Sequence, residues 1–299
     1  MGDTQEPGRA LDPDLRAVLI RAQHNELTEH HVYKRLAQRE KNPENRRVLE
    51  RIADDERRHY EFWGTYTQAA PEPSTFTVWK YVLIARLFGL TFAVRLMERG
   101  EEEAQTSYGR LEDRIPESKQ IAAEESEHED ELTKMIDEER LRYAGSVVLG
   151  LSDALVELTG ALAGLTLALQ QGRLIAATGL VTGIAASLSM AASEYLSTRA
   201  EPDGSKSPVK SSLYTGVAYL ITVLFLIWPF LVLGNPLVAL PVTLACALVV
   251  ILAFTYYISV AKDLPFGSRF GEMAGLSLAV AAVSFGIGYL VRILLGVEV

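Results

Sequence analysis

The stretches ADDERRHY, residues 53–60, and AEESEHED, residues 123–130, each contain a glutamate followed three positions later by a histidine. Residues three apart lie on the same face of a helix, so each pair presents a carboxylate and an imidazole to one point in space. Both pairs lie in the charged N-terminal part of the chain, ahead of a long apolar part: they are Glu56 with His59, and Glu125 with His128.

The two parts of this 299-residue chain differ sharply in composition. Residues 1–143 hold 30 of the 38 acidic residues, 22 of the 29 basic residues and all five histidines, whereas residues 144–299 are mostly apolar. This contrast predicts a water-soluble domain at 13–143, after a disordered N-terminus at 1–12, and a membrane domain at 144–299. The single cysteine, Cys246, has no intrachain partner for a disulfide. The polar start of the chain predicts no cleavable signal peptide.

Helix start signals divide the N-terminal part into two hairpins. Asp12-Pro13 and Asn42-Pro43 each combine an N-cap side chain with a proline at the first helical position. The apolar run at 78–97 contains Arg86 near its centre, which would be costly in lipid, so we expect a helix on the bilayer surface or packed on the bundle. The four helices are predicted at 13–40, 43–67, 78–112 and from Pro116 to about 143.

Ligands on paired helices must lie at equal depth from their connecting turn, and this register extends the two motifs to a larger site. Glu26 and Glu56 have their midpoint at the first turn, and Glu101 and Glu125 have theirs at the second. Glu98, one turn from Glu101, is the favoured seventh ligand, with Glu102 as a weaker alternative. Carboxylates and imidazoles in this number suit two iron ions in a helical bundle. The predicted metal ligands are Glu26, Glu56, His59, Glu98, Glu101, Glu125 and His128; Tyr33 and Tyr108, each seven residues after a glutamate, are predicted to hydrogen-bond them.

This pattern resembles the rubrerythrin branch of the ferritin-like superfamily over about residues 13–143. The resemblance implies a ferritin-like four-helix bundle with a di-iron centre that has ferroxidase or peroxidase potential. The sequence has no Cys-x-x-Cys pair, so the rubredoxin-type electron-transfer module of many rubrerythrins is absent. Three further histidines match no ligand position and are predicted to be exposed on helices: His24, His30 and His31.

Five segments of the C-terminal part are long enough and apolar enough to cross a bilayer. Basic residues are concentrated in the segments before the first span, after the second and after the fourth. The positive-inside rule therefore predicts a cytosolic N-terminus and an outside C-terminus. The predicted spans are 145–170, 174–198, 210–233, 236–261 and 271–295.

The first two predicted spans carry acidic residues within apolar sequence. Asp153 and Glu157 are four apart, as are Met190 and Glu194, so each pair shares a helix face. Acidic residues inside a membrane are costly and usually line an ion path. A thioether beside carboxylates favours a transition metal over Mg²⁺.

These spans resemble the vacuolar iron transporter family. The stretch GLSDALVELTGALAGL in the first span is similar to the Gly-x-x-Asp-Gly motif of that family, and SMAASEYLS in the second span is similar to its Ser-Met-x-x-x-Glu-Tyr-x-Ser motif. The resemblance implies a five-span homodimer that moves Fe²⁺, and sometimes Mn²⁺, out of the cytosol in exchange for protons. By motif position, Asp153 and Met190 would contact the ion and Glu194 would lie near the cytosolic mouth. Ala154 departs from the motif glycine, and only a short segment joins spans two and three. The whole fusion is similar to the bacterial membrane-bound ferritins.

The sequence thus predicts an all-α protein, a ferritin-like bundle followed by a five-span domain, that exports iron across the bacterial cytoplasmic membrane. The alternative hypothesis is a membrane-anchored ferroxidase or peroxide scavenger whose spans serve only as a tether. An iron sensor or scaffold is a third, less favoured hypothesis. The predicted partners are Fe²⁺, protons, the lipid bilayer and a second copy of the chain, and no nucleic-acid partner is predicted.

Overall fold

The computed structural model describes residues 12–105, 115–116, 118–134, 143–201 and 206–295. All regular secondary structure in these ranges is α-helical, which confirms the predicted fold class. The chain divides into two compact units, Met1–Glu138 and Glu139–Val299. The domain boundaries given above stay predictions.

The described residues of the first unit form five helices, two of which begin at the predicted residues. The side chains of Asp12 and Asn42 accept hydrogen bonds from the backbone N–H of Asp14 (3.3 Å) and Glu44 (2.9 Å), and a proline follows each cap. The first helix ends at Ala37, three residues before the predicted end. The helices are α1 (Pro13–Ala37), α2 (Pro43–Thr67), α3 (Thr75–Phe88), α4 (Leu90–Gln105) and α5 (Ser118–Lys134).

The prediction of one continuous third helix is wrong, because the chain breaks between α3 and α4 at Gly89. This residue has a φ of 101°, a region that glycine enters at little cost and other residues avoid. α3 also begins earlier than predicted, since the Ser74 hydroxyl caps it by accepting from the N–H of Thr77 at 3.2 Å. Two predicted helix ends lie outside the described ranges. They are residues 106–112 of the predicted third helix and the extension of α5 beyond Lys134.

Two apolar layers in the first unit enclose a polar one. One layer contains Val32, Leu49 and Ile52, and the other contains Leu19 and Trp63, all of them buried. Along α1 and α2, the residues between these layers are the polar ones of the predicted metal site. The site therefore lies within the bundle and not on its surface.

In the second unit, the part of the chain that the structure describes has five helices long and apolar enough to cross a membrane, which confirms the five predicted spans. α6 is the central helix and packs against each of the other four. Its side chains Leu155 and Leu162 form the buried core together with Tyr219 and Ile251 from neighbouring helices. The helices are α6 (Ala144–Leu169), α7 (Gly172–Ala200), α8 (Pro208–Val232), α9 (Pro236–Ala261) and α10 (Phe266–Leu295).

Glycines allow two pairs of these helices to pack with their backbones in contact. A Cβ added at Gly288 on α10 would lie 2.1 Å from the carbonyl oxygen of Gly164 on α6. A Cβ added at Gly150 on α6 would lie 2.3 Å from the carbonyl oxygen of Thr215 on α8. Close packing through small residues is a common source of stability between helices in lipid.

Candidate metal centre

Four side chains from α1, α2 and α5 meet inside the first unit. Glu26, Glu56, His59 and Glu125 each place one potential ligand atom within 4.8 Å of the others. Nδ1 of His59 lies 3.1 Å from Oε1 of Glu125, 3.5 Å from Oε2 of Glu56 and 3.7 Å from Oε2 of Glu26. The bundle thus places one imidazole nitrogen within reach of three carboxylates.

His128 on α5 approaches the same cluster from the other side. Its Nδ1 lies 3.4 Å from Oε1 of Glu56 and 3.7 Å from Oε2 of Glu125. The ring centroids of the two histidines are 6.0 Å apart. Glu56 and Glu125 therefore each direct one carboxylate oxygen toward His59 and the other toward His128. Two carboxylates that link two imidazoles in this way form a donor set suited to metal binding.

The residues present fit a metal. Oε2 of Glu56, Nδ1 of His59 and Nδ1 of His128 are buried, and within the described ranges none of these three atoms has a hydrogen-bond partner. Buried polar atoms without partners are costly, and most have a structural or functional explanation. Here bound metal would give these atoms the partners that they lack.

Each histidine is oriented by a carboxylate on the opposite helix. Nε2 of His59 on α2 donates to Oε2 of Glu124 on α5 at 2.8 Å, and Nε2 of His128 on α5 donates to Oδ2 of Asp55 on α2 at 3.0 Å. With the proton on Nε2, the lone pair of Nδ1 faces the cluster, which is the tautomer that a metal ligand needs. The motif analysis missed these two acids, although each directly precedes the glutamate of its motif.

Arg58 joins the two orienting carboxylates. Its guanidinium contacts Oδ1 of Asp55, and its Nη2 lies 3.3 Å from Oε2 of Glu124. A planar guanidinium can bind two carboxylates in a fixed geometry, whereas a lysine offers a single point charge. The chain His59, Glu124, Arg58, Asp55, His128 therefore forms one continuous hydrogen-bonded network around the cluster.

In their effects on pKa values, burial and neighbouring carboxylates reinforce each other at Glu26 and oppose each other at the two histidines. Burial raises the pKa of Glu26 well above its ordinary value, and the neighbouring carboxylates of Glu56 and Glu125 raise it further, against a lowering contact from His59. Burial would lower the pKa of His128, but contacts with Glu125 and Glu56 outweigh it and raise that pKa to about 10. The pKa of His59 is raised for the same reason. Without a metal, protons on the imidazoles balance the negative charge.

Other predicted site residues lie outside this four-residue group or outside the described part of the structure. Glu98 is outside the four-residue group, and its carboxylate lies 3.6 Å from Nη1 of Arg95. Glu101 and Glu102 belong to α4, but their side chains lie outside the described part of the structure, as does all of Tyr108. Tyr33 is buried in the apolar layer beside Val32.

One predicted exposure is wrong, because His30 is buried and its Nδ1 lies 2.5 Å from the carbonyl oxygen of Ala53. It therefore connects α1 to α2 just outside the cluster. His24 and His31 are partly exposed. Glu26 itself accepts a hydrogen bond from Nε1 of Trp63 at 3.1 Å.

In the second unit, Glu157, one of the two predicted acids of the first span, lies at a cavity. The carboxyl groups of Asp153 and Glu157 interact with each other. Oε2 of Glu157 also accepts a hydrogen bond from the hydroxyl of Tyr219 at 2.9 Å. Glu157 and Tyr219 line a cavity of about 430 Å³ together with small and hydroxyl-bearing residues of α6, α7 and α10, among them Gly160, Gly164, Thr178, Thr182 and Ser284.

The predicted acid of the second span, Glu194, is hydrogen-bonded to a residue of the first span. Oε1 of Glu194 on α7 accepts a hydrogen bond from the hydroxyl of Ser146 on α6 at 2.6 Å. Because α6 and α7 run antiparallel, this contact sets Met190 at the depth of Gly150, about one turn from Asp153. Met190 is partly buried against the core of the unit. The structure thus connects Asp153 with Glu157 directly, and Glu194 with the start of α6.

The fold and these sites define a multi-pass membrane protein with a buried carboxylate and histidine cluster in an N-terminal helical unit. Residues 10–65 match the rubrerythrin family and residues 144–206 match the VIT family, which confirms the fusion predicted from the sequence. No curated protein and no solved structure matches the chain. The rubrerythrin match covers α1 and nearly all of α2 but not Glu125 or His128, which lie on α5. The two matches indicate iron binding and metal transport across a membrane.

Proposed function

We propose that the protein exports iron from the cytosol and that its N-terminal unit captures the iron to be exported. The observation that carries this proposal is the pair Asp153 and Glu157, which interact within an apolar span, and of which Glu157 lines a cavity. A helix that only anchors a protein has no use for two costly carboxylates at this position. The VIT match covers the two helices that carry all four residues of the proposed path.

The proposed centre in the first unit holds two iron ions. Glu26, Glu56, His59, Glu125 and His128 would hold the iron. Glu98 and Glu101 on α4 remain proposed ligands. A di-iron centre supplies oxidation of Fe²⁺ by oxygen or peroxide. The protein itself supplies ligand geometry, through the bonds from the histidines to Glu124 and Asp55.

The proposed path in the membrane unit runs along α6 and α7. Fe²⁺ is the substrate, with Mn²⁺ as a second candidate, and Asp153 and Met190 would contact it. Glu194 would lie at the cytosolic mouth, and Glu157, held by Tyr219, would lie further along the path. A carboxylate that exchanges a proton for a cation provides a simple basis for proton coupling.

We propose that the protein is a homodimer in the bacterial cytoplasmic membrane. The basic residues flanking the spans support a cytosolic N-terminus and an outside C-terminus. They are Arg140 and Arg142 before α6, Arg199, Lys206 and Lys210 after α7, and Lys262 and Arg269 after α9, against Arg173 and Arg292 on the other side.

A second candidate function is a membrane-anchored ferroxidase or peroxide scavenger. The observation that favours it is that, among the described residues, the cluster and its orienting network are formed by side chains of the first unit. Under this hypothesis the spans are a tether, and substitutions at Asp153 would leave every measurable activity unchanged.

Flux measurements on the full chain separate the two functions. Purified protein is reconstituted into proteoliposomes with the N-terminal unit outside, and entry of Fe²⁺ is followed with an entrapped chelating dye. We expect Asp153→Ala to abolish flux while iron bound by the N-terminal unit stays at the wild-type level. Glu201→Ala, at the exposed C-cap of α7, is the matched control and should transport normally. Unchanged flux in Asp153→Ala would exclude the proposed path.

A further inference from the structure

One side of α3 exposes large apolar side chains to the surroundings of the first unit. Phe76 is 69% exposed, Trp79 59% and Leu87 58%; Leu83 between them is partly exposed. At about 100° per residue, these four side chains fall within an arc of about 80°. We call this set, Phe76, Trp79, Leu83 and Leu87, the α3 apolar face.

The opposite side of α3 is firmly packed, so the apolar face is not the result of a detached helix. Val78, Tyr81 and Val82 are buried in the apolar layer that α3 shares with α1, α2 and α4. The face is therefore presented by a helix of fixed orientation. Contiguous exposed apolar residues on a water-soluble domain usually mark an interaction site.

Charge distinguishes α3 from the rest of its unit. The sequence contains no acidic residue between Glu72 and Glu98, in a part of the chain that is otherwise rich in acids. Lys80 and Arg86 lie about 20° beyond the two edges of the apolar face on the same helical projection. An apolar stripe with aromatic side chains and basic edges is typical of helices that lie in the interface of an anionic bilayer.

The covalent chain keeps this unit close to a bilayer. Only residues 135–143 separate the end of α5 from the start of α6, the first helix long and apolar enough to span. Fully extended, these residues reach at most about 35 Å. The covalent link therefore limits how far this unit can move from the bilayer.

We propose that the α3 apolar face binds the bilayer surface, with Phe76, Trp79 and Leu87 inserted among the lipid headgroups and upper acyl chains. Lys80 and Arg86 bind anionic headgroups at the two edges. This contact holds the iron-binding unit against the membrane in addition to the covalent link. It does not depend on the direction of transport or on oxidation at the metal centre.

Depth-dependent quenching on the full chain in lipid nanodiscs tests this proposal. Cys246→Ser removes the native thiol, and Phe76→Cys or Glu61→Cys introduces one labelling site. Position 61 is the control because Glu61 is exposed on α2, outside the face. Each variant carries an environment-sensitive fluorophore, and the discs contain lipids with a nitroxide on an upper acyl carbon. We expect at least threefold stronger quenching at position 76 than at position 61.

A second variant, together with a disulfide test, shows whether the α3 apolar face binds the bilayer or a second copy of the chain. Lys80→Gln combined with Arg86→Gln should reduce quenching at position 76 in discs with anionic lipid and have little effect in discs of neutral lipid. Equal quenching at positions 76 and 61 would overturn the proposal. So would disulfide formation between two chains at position 76 together with no quenching by lipid, because the face would then bind another copy.

Discussion

Nε2 of His59 on α2 donates a hydrogen bond to Oε2 of Glu124 on α5, with a distance of 2.8 Å. The bond fixes the ring orientation of His59, so that its Nδ1 faces three carboxylates of the cluster. The reverse bond, from His128 on α5 to Asp55 on α2, gives the site approximate twofold character. The two motifs therefore depend on each other, since the acid directly before each motif orients the histidine of the other motif.

Removing either orienting carboxylate should weaken iron binding without removing a ligand. Glu124→Gln and Asp55→Asn keep the size of the side chain but weaken the bond that fixes the histidine. We expect each to lower Fe²⁺ affinity by about 10- to 100-fold, as is usual for residues that support metal ligands. Anaerobic titration with Fe²⁺ measures this. Glu61→Gln, an exposed acid on α2 paired with Arg57, should bind like wild type; equal affinity in all four proteins would contradict the assigned role.

Iron binding should release protons. The pKa of His128 is raised from 6.5 to about 10 in the metal-free protein, so its stabilising contacts are complete below pH 6.5 and are lost as the pH rises toward 10. A metal ligand must be deprotonated, so Fe²⁺ has to displace this proton and that of His59. We expect release of about two protons per chain at pH 7.5. Anaerobic calorimetry in buffers of different ionisation enthalpy measures this number, and a heat independent of the buffer would contradict it.

Glu26→Gln should stabilise the metal-free protein and destabilise the iron-loaded one. Burial raises the pKa of Glu26 above 4.5, so the folded state loses stability relative to the unfolded state as the pH rises above 4.5. Glutamine removes that loss while keeping an acceptor for Nε1 of Trp63. Thermal unfolding followed by tryptophan fluorescence at pH 7.5 should give a higher midpoint for the variant without iron. With excess Fe²⁺ the order should reverse, and a variant less stable in both states would contradict this account.

Because α6 and α10 pack closely, adding a methyl group between them should destabilise the membrane unit. Gly288→Ala would place a Cβ 2.1 Å from the backbone oxygen of Gly164, so the two helices would have to separate. We expect a loss of about 1–3 kcal/mol, typical of overpacked cores, and a fall in transport. Gly286→Ala on the same helix is the matched control, since its Cβ meets no described atom within 4 Å. Thermal stability in detergent compares the two, and equal values would exclude the assigned contact.

Sequence patterns predicted the elements whose signals are local. The caps at Asp12 and Asn42 gave the starts of α1 and α2, and hydropathy gave all five spans. The break at Gly89 was missed because a single glycine inside an apolar helical pattern is usually tolerated. The burial of His30 depends on how α1 rotates against α2, which periodicity alone does not determine.

In the metal site too, local sequence signals predicted some residues, whereas others depend on how the helices pack. The spacing of Glu56 with His59, and of Glu125 with His128, indicated a metal centre because both residues of a pair lie on one helix. Asp55, Glu124 and Arg58 act across two helices, and their pairing requires the axial register and rotation of α2 against α5. Glu98, predicted from its face on α4, has its carboxylate 3.6 Å from Nη1 of Arg95, and its role as a metal ligand stays a prediction.

The most direct test of the central claim, that the N-terminal unit supplies iron to the membrane path, is Fe²⁺ flux by Glu56→Ala at several iron concentrations. Glu56 contacts both histidines of the cluster, so its removal should empty the centre. In proteoliposomes with the N-terminal unit outside, we predict that flux falls severalfold at limiting Fe²⁺ and recovers at saturating Fe²⁺, because the path itself is intact. Wild-type flux at every concentration, from a variant proven to bind no iron in its N-terminal unit, would contradict the account.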